Sequence, residues 1–333
     1  MKCQWLLKAV SAGLVSVIIV SAFCYFYYNL PSRRVVSTGS TDYSWSANNR
    51  AYRGTEGFAY TKTDENGYVN TFPEKKDTID VLVMGSSHTE GFNVDYDENY
   101  TYLLNKTFSE NGNDKYAYSI GVSGHSMVRC FRNLNSAINE FSPTAYVVLE
   151  TNTIQPNYAE LKALAEGTLE YIPAYSSKWA DLLQKSDFLR LAGAQISNFM
   201  EQNKTANAVE EPAVDQAEYV AYLENMLKNG SEVVKEKGLK LMIVFSTPLQ
   251  FDYDGALLAP QNPESVALFR SLCEKYDIQF VYMTPVYEEH YNATQQLVHG
   301  FSNTAVGKGH LNKYGHACVA TEVYRYLMEG EKK

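Results

Sequence analysis

The sequence predicts an α/β protein: a three-layer α/β/α domain on a mostly parallel, five-stranded sheet, preceded by one N-terminal transmembrane helix. Three observations carry this. Residues 78–330 alternate short apolar runs with segments of helical period, the pattern of parallel strands joined by crossover helices. Polar, glycine-containing clusters follow those runs, where such sheets bind ligands. No charge occurs between Lys8 and Arg33.

Within that uncharged stretch, Ala9 to Tyr28 is almost wholly apolar and as a helix would rise about 30 Å, the thickness of a hydrocarbon core. Tyr25, Phe26, Tyr27 and Tyr28 form an aromatic belt at its end. Val20-Ser21-Ala22 has the small residues of a signal-peptidase site, but the apolar run continues past it. A lipoprotein signal ending at Cys24 would need Gly or Ala where Phe23 stands. A retained anchor is therefore expected over residues 1–30. Lys2 and Lys8 balance Arg33 and Arg34, so charge does not set the orientation. As for a signal anchor, the short tail is placed in the cytoplasm and the large domain outside a single-pass cell membrane.

Residues 31–77 read as a Ser/Thr/Asn-rich stalk, to about Asn49, and a membrane-proximal hairpin over Phe58–Phe72 turning at Asn66-Gly67. Strands are expected at Ile79–Met84, Tyr116–Ile120, Tyr146–Leu149, Leu239–Phe245 and Gln279–Met283. Ser126 caps a helix whose Phe131, Leu134, Ile138 and Phe141 share a face. A last helix runs from about Asn312 to Met328. The interval 155–238 reads as a helical insertion, with helices over Trp179–Met200 and Tyr219–Lys237 and a polar loop over Lys204–Gln216. The tetrapeptide TEGF occurs at Thr55–Phe58 and again at Thr89–Phe92, in unlike contexts.

Composition narrows the function. Twenty-nine Lys and Arg against 38 Asp and Glu give a net charge of −9, which excludes a surface built for nucleic acid. The five cysteines are scattered and contain no CxxC, so neither a disulfide framework nor a zinc site is expected. Asp95–Asn99 begins like a calcium loop, but Tyr100 stands where glycine is needed and Lys106 where the closing glutamate belongs. No phosphate loop is present. The chemistry expected calls for no metal and no cofactor.

That chemistry lies in two distant stretches. Met84-Gly85-Ser86-Ser87-His88-Thr89-Glu90-Gly91 follows the first strand, and a serine on such a turn can present its hydroxyl to a cleft. Serine needs a base to act as a nucleophile. His310, on a loop before the last helix, can be brought over the first strand by the sheet topology. Amides at Ser87, Gly124 and Asn152 can face a developing oxyanion.

These blocks resemble the SGNH (GDSL-type) hydrolase superfamily. The first, Gly-Asp-Ser-x-Thr-x-Gly, is matched by Gly85, Ser87, Thr89 and Gly91, with Ser86 in place of the aspartate. Gly121-Val122-Ser123-Gly124 matches the second, and Glu150-Thr151-Asn152-Thr153 meets the third loosely. The last is matched by His310, Asn312 and Gly315. The resemblance implies Ser87 as nucleophile, His310 as general base, Gly124 and Asn152 as oxyanion donors, and acyl transfer through an acyl-serine. The family's aspartate three residues before the histidine falls on Gly307. Three outcomes stay open: a backbone carbonyl orients His310, a carboxylate from elsewhere does so (Glu150 being the first candidate), or the site is catalytically feeble.

The expected function is a membrane-anchored serine esterase removing acyl groups, acetyl foremost, from carbohydrate or polymer of the cell envelope. The alternatives are an O-acyltransferase using the same intermediate and a noncatalytic envelope-binding protein on a hydrolase fold.

Overall fold

The computed structural model describes residues 2–172, 186, 188–193, 195–196, 215–251, 255, 257–258 and 262–330. Five apolar runs form one parallel sheet: β6 (Val81–Met84), β7 (Ala117–Ser119), β8 (Tyr146–Thr151), β9 (Lys240–Phe245) and β10 (Gln279–Tyr282). Their spatial order is β7-β6-β8-β9-β10. Numbered within the sheet this is 2-1-3-4-5, a doubly wound order that reverses direction beside the first strand. The three-layer α/β/α fold read from the sequence is the one observed.

Successive side chains on a strand point to opposite faces, so each strand feeds two cores. Leu82, Met84, Val147, Leu149, Leu241 and Ile243 pack on one face against α4 (Met127–Phe141), α6 (Gln216–Glu236) and α7 (Pro263–Lys275). Val81, Val83, Val148, Met242 and Val244 pack on the other. There they meet α3 (Tyr100–Glu110), α8 (Thr284–Thr294) and α9 (Lys313–Gly330) through Leu104, Phe108, Tyr287, Val319 and Val323. Ser126 caps α4 as expected, its hydroxyl accepting the Arg129 N–H. The helix read at Tyr219–Lys237 is α6; that at Trp179–Met200 falls largely, and the loop at Lys204–Gln216 all but its last two residues, outside the described residues.

At the N-terminus α1 (Lys2–Tyr27) is exposed from Gln4 to Phe23, and Gln4–Tyr27 is long and apolar enough to cross a membrane. The segment that follows departs from the sequence reading. Residues 31–77 are no free stalk but a strap folded onto the domain, because its few large side chains are core residues: Tyr43, Trp45, Tyr68, Val69 and Phe72 are buried with the α4 face of the sheet. Two short strands, β2 (Arg33–Val35) and β3 (Tyr43–Trp45), pair antiparallel. A second small sheet joins β1 (Tyr28–Asn29), β4 (Arg50–Arg53) and β5 (Ala59–Lys62). The hairpin expected to turn at Asn66-Gly67 turns instead at residues 54–58, between β4 and β5. Asn66-Gly67 closes a local turn in which Gly67 N–H bonds Asp64 O and Asp64 N–H bonds Tyr68 O.

Candidate active site

Ser87 is the first residue of a one-turn helix, α2 (Ser87–Glu90), directly after β6. It therefore stands at the carboxyl edge of the sheet, beside the point where strand order reverses, which is where doubly wound sheets place ligands. His310 arrives from the far end of the chain, on the loop before α9. Its own carbonyl accepts from Gly300 N–H at 2.9 Å, and Asn312 pins the loop through bonds from Nδ2 to Leu297 O and Gly300 O. The two meet: His310 Nε2 lies 2.8 Å from Ser87 Oγ.

Behind the imidazole stands a carboxylate that the sequence reading did not include. Glu56 Oε2 lies 2.7 Å from His310 Nδ1, and Glu56 Oε1 accepts the His310 backbone N–H at 3.1 Å. Burial works to raise the Glu56 pKa, but the hydrogen bonds and charge of His310 and the charge of Arg53 outweigh it and bring the carboxyl down to about 2. Glu56 sits at the middle of the β4–β5 loop, and that loop is clamped from several sides. Asn303 donates to Gly54 O at 2.8 Å and to Gly57 O at 3.0 Å, and its Oδ1 accepts Gly57 N–H at 2.9 Å. Asn93 Nδ2 donates to Glu56 O at 3.3 Å. An ionised carboxylate on Nδ1–H leaves Nε2 as the acceptor, so a proton leaving Ser87 has a base already in the right tautomer.

Glu150 does not take this position. It is buried beneath the nucleophile turn, where Oε1 lies 3.0 Å from His88 Nδ1 and Oε2 accepts from Thr89 Oγ1 at 3.3 Å. Its place near the end of β8 puts it under α2, where it bonds His88, whose ring meets the His310 ring edge-on at 5.7 Å between centroids. His125, the other histidine bordering the cleft, is likewise engaged elsewhere, with Nε2 at 3.2 Å from Asp42 Oδ1.

The Gly121–Gly124 turn follows β7 and lies along the end of β6, with Val122 N–H bonded to Gly85 O at 3.1 Å. Buried Glu90 ties this turn to both α2 and the strap. It accepts from Trp45 Nε1 at 2.6 Å, from Ser123 N–H at 3.1 Å and from the Ser123 hydroxyl, and its burial raises its pKa. Tyr43 OH adds a bond to Ser123 O at 2.8 Å. Gly124 takes a left-handed φ of +86°. Asn152 is exposed just past β8 and lines a recess of about 120 Å³ with Thr153, Gln155, Thr247 and Tyr282. Among the described residues no hydrogen bond joins Gly124 or Asn152 to Ser87.

No family model matches the chain, and no curated protein does. Among solved structures it is similar to an esterase, EstA, from Pseudoalteromonas sp., at 12% identity and a TM-score of 0.43 over 76% of this chain and 98% of that one. It is also similar to an acetyl xylan esterase, AlAXEase, at 11% identity and a TM-score of 0.43, over 74% and 99%. A third similar structure is a member of the lipolytic G-D-S-L family from Veillonella parvula, at 13% identity and a TM-score of 0.39, over 75% and 99%. The 2-1-3-4-5 strand order, with the Ser87 block after the first strand and the Gly121–Gly124 turn after the second, decides the fold. It is the α/β/α arrangement that the SGNH resemblance implies.

The carboxylate on His310 does not come from the position where the SGNH pattern carries aspartate. Gly307, where the SGNH pattern carries aspartate, adopts a φ of +79°, which an aspartate would take only with strain. Gly309 does the complementary work. Its φ is +82°, and a Cβ there would lie 2.7 Å from Glu56 Oε1. The missing side chain at 309 is thus the space the Glu56 carboxylate fills. Gly309→Ala is expected to push the carboxylate off the imidazole and lower kcat by about 10²-fold, the cost of an ångström-scale misplacement. Steady-state kinetics on a chromogenic acetate ester checks this; unchanged kcat would mean that the contact with Glu56 does not matter.

Proposed function

We propose that the protein is a membrane-anchored serine esterase that removes acyl groups, acetyl foremost, from carbohydrate of the cell envelope. The observation that carries the reading is the unbroken chain Ser87 Oγ–His310 Nε2, His310 Nδ1–Glu56 Oε2, at 2.8 and 2.7 Å. In this reading Ser87 attacks the ester carbonyl as its proton passes to His310. The amides of Ser87 and Gly124, with Asn152, receive the oxyanion. His310 then returns its proton to the leaving alcohol, and water, deprotonated by His310, releases the acid from the acyl-serine and regenerates the hydroxyl. Glu56 holds the ring and supports its charge. The apolar α1 supports a membrane location. The carboxylate behind His310 favours catalysis over a purely binding role on a decayed site.

The test is active-site labelling of the full chain in detergent with a fluorophosphonate probe. Labelling is expected in the parent and absent in Ser87→Ala, and His310→Ala should lose it as well because the hydroxyl then has no base. A parent chain that stays unlabelled is not a serine hydrolase. Acetate release from an acetylated polysaccharide by the labelled protein then tests the substrate class.

A further inference from the structure

The end of the apolar helix and the loop that carries Glu56 are one structural unit. Gly54 N–H bonds the carbonyl of Tyr27, the last residue of α1, at 2.5 Å. The chain leaves α1 straight into β1, whose Tyr28 and Asn29 pair with Arg53 and Tyr52 of β4. Tyr25 and Phe26 pack their rings against Tyr52, at 5.5 and 5.3 Å between centroids. Cys24, in the last turns of the helix, is buried. Only Thr55 separates Gly54 from Glu56, which lie at most about 7 Å of chain apart.

The same loop exposes an aromatic side chain next to the acid. Phe58 is 71% exposed, and it continues the outer surface of the helix, where Phe23 and Phe26 are 60% and 63% exposed. The rings form a ladder: Phe23 stacks on Tyr27 at 5.3 Å, and Tyr27 meets Phe58 edge-on at 6.2 Å. An exposed phenylalanine is unfavourable in water but well placed in the headgroup zone, where aromatic residues gather at the ends of spans.

We propose that the Glu56 loop rests on the bilayer, with Phe58 in the interfacial region, and that the site takes an acyl ester carried on a lipid of its own membrane. This rests on the esterase reading of Ser87 and on α1 as a retained span; it adds where the cleft opens and what presents the substrate. With the acid anchored at the membrane surface and the serine one imidazole beyond it, an ester at headgroup height is within reach. An ester on a distant polymer would have to be brought down to the bilayer.

Two measurements on the full chain in phosphatidylglycerol–phosphatidylethanolamine vesicles test this. In the first, the tryptophan added by Phe58→Trp, read as the difference from the parent, should be blue-shifted and quenched by lipids brominated near the headgroup. A spectrum of a water-exposed tryptophan without quenching overturns the membrane contact. In the second, a fluorogenic acetate ester is attached to a dialkylglycerol either directly or through a long flexible spacer. Direct attachment should be cleaved at least as fast as the spaced form, since an attachment too short to span serine and bilayer would give almost none. Cleavage of the spaced ester alone overturns the proposal. Fluorophosphonate labelling of Ser87 in the same vesicles separates the two readings. A labelled serine that ignores the headgroup-level ester refutes the membrane-facing site, whereas an unlabelled one refutes the esterase.

Discussion

Glu56→Gln is expected to lower kcat by roughly 10³- to 10⁴-fold with little change in KM or melting temperature, by analogy with amide replacement of a triad acid. The reason is the number of acceptors. The carboxylate accepts two hydrogen bonds from one residue, at the His310 Nδ1 and at its backbone N–H. A glutamine has one oxygen to offer. With that oxygen on the backbone N–H, its NH₂ faces Nδ1 and forces the ring proton onto Nε2, which then cannot accept from Ser87. With the amide flipped, two N–H groups face each other at the backbone. The first arrangement loses the base and the second gives up the backbone contact and sets two donors against each other, while the shape of the loop is kept. Since Asn303 and Asn93 hold the loop through its backbone, the fold should tolerate the change. The depressed carboxyl keeps its charge at neutral pH and gives it up only as pH falls toward about 2, so an acidic limb of activity well above that does not come from Glu56. Steady-state kinetics with circular dichroism melting checks the prediction; a Glu56→Gln chain turning over at the parental rate would show that His310 needs no acid.

How much of this could be read from the sequence depends on how far apart the partners lie. The five strands were legible because a buried parallel strand announces itself as an apolar run: Leu239–Phe245 was expected and Lys240–Phe245 is observed. Ser87 and His310 were legible because each sits in a local block whose glycines and asparagine shape its own turn. Glu56 was not, because nothing near it in sequence refers to a histidine 254 residues away. What signal there was lay in Gly54-Thr55-Glu56-Gly57, a carboxylate in a glycine-flanked turn. It lay between the expected stalk, which ends near Asn49, and the expected hairpin from Phe58, where its polar surroundings gave it no element. The same composition hid Tyr43 and Trp45, and a strap needs only a few buried aromatics among Ser, Thr and Asn to be held fast. Glu150 was a reasonable first candidate by position alone, near the end of β8, but strand position does not say which rim a neighbouring loop will cover.

The strap also explains the second large effect. Asp42→Ala is expected to cost about 3–5 kcal/mol of stability, because it breaks a buried ion-pair cluster from one side. Asp42 has a fully buried side chain that accepts from Arg129 Nη1 at 2.9 Å, Asn133 Nδ2 at 3.1 Å and Ile172 N–H at 2.6 Å, and from the Arg132 guanidinium. Burial would raise its pKa, but the hydrogen bond and charge of His125, with the bonds from Ile172 N–H and Asn133, hold the carboxyl far below the usual carboxylate range. The stability it supplies is therefore present above the unfolded carboxylate value and lost only in strong acid. Removing it strands two arginines in poor solvent. Arg129 keeps Glu160 at 2.9 Å, while Arg132 keeps backbone carbonyls of Leu169 and Glu170 and its stack on Tyr171. At a few degrees per kcal/mol, the loss amounts to a fall in Tm of roughly 10 °C. Adding Arg132→Met to Asp42→Ala should recover part of it, since an apolar side chain of similar length leaves less charge uncompensated. Because the strap that Asp42 anchors also carries Trp45 and Glu56, activity should fall with the fraction folded on warming, yet stay near parental well below the new Tm. A variant that melts like the parent would mean that the strap is held by its aromatics alone; one that is folded but inactive in the cold would mean that Asp42 acts on the catalytic residues themselves.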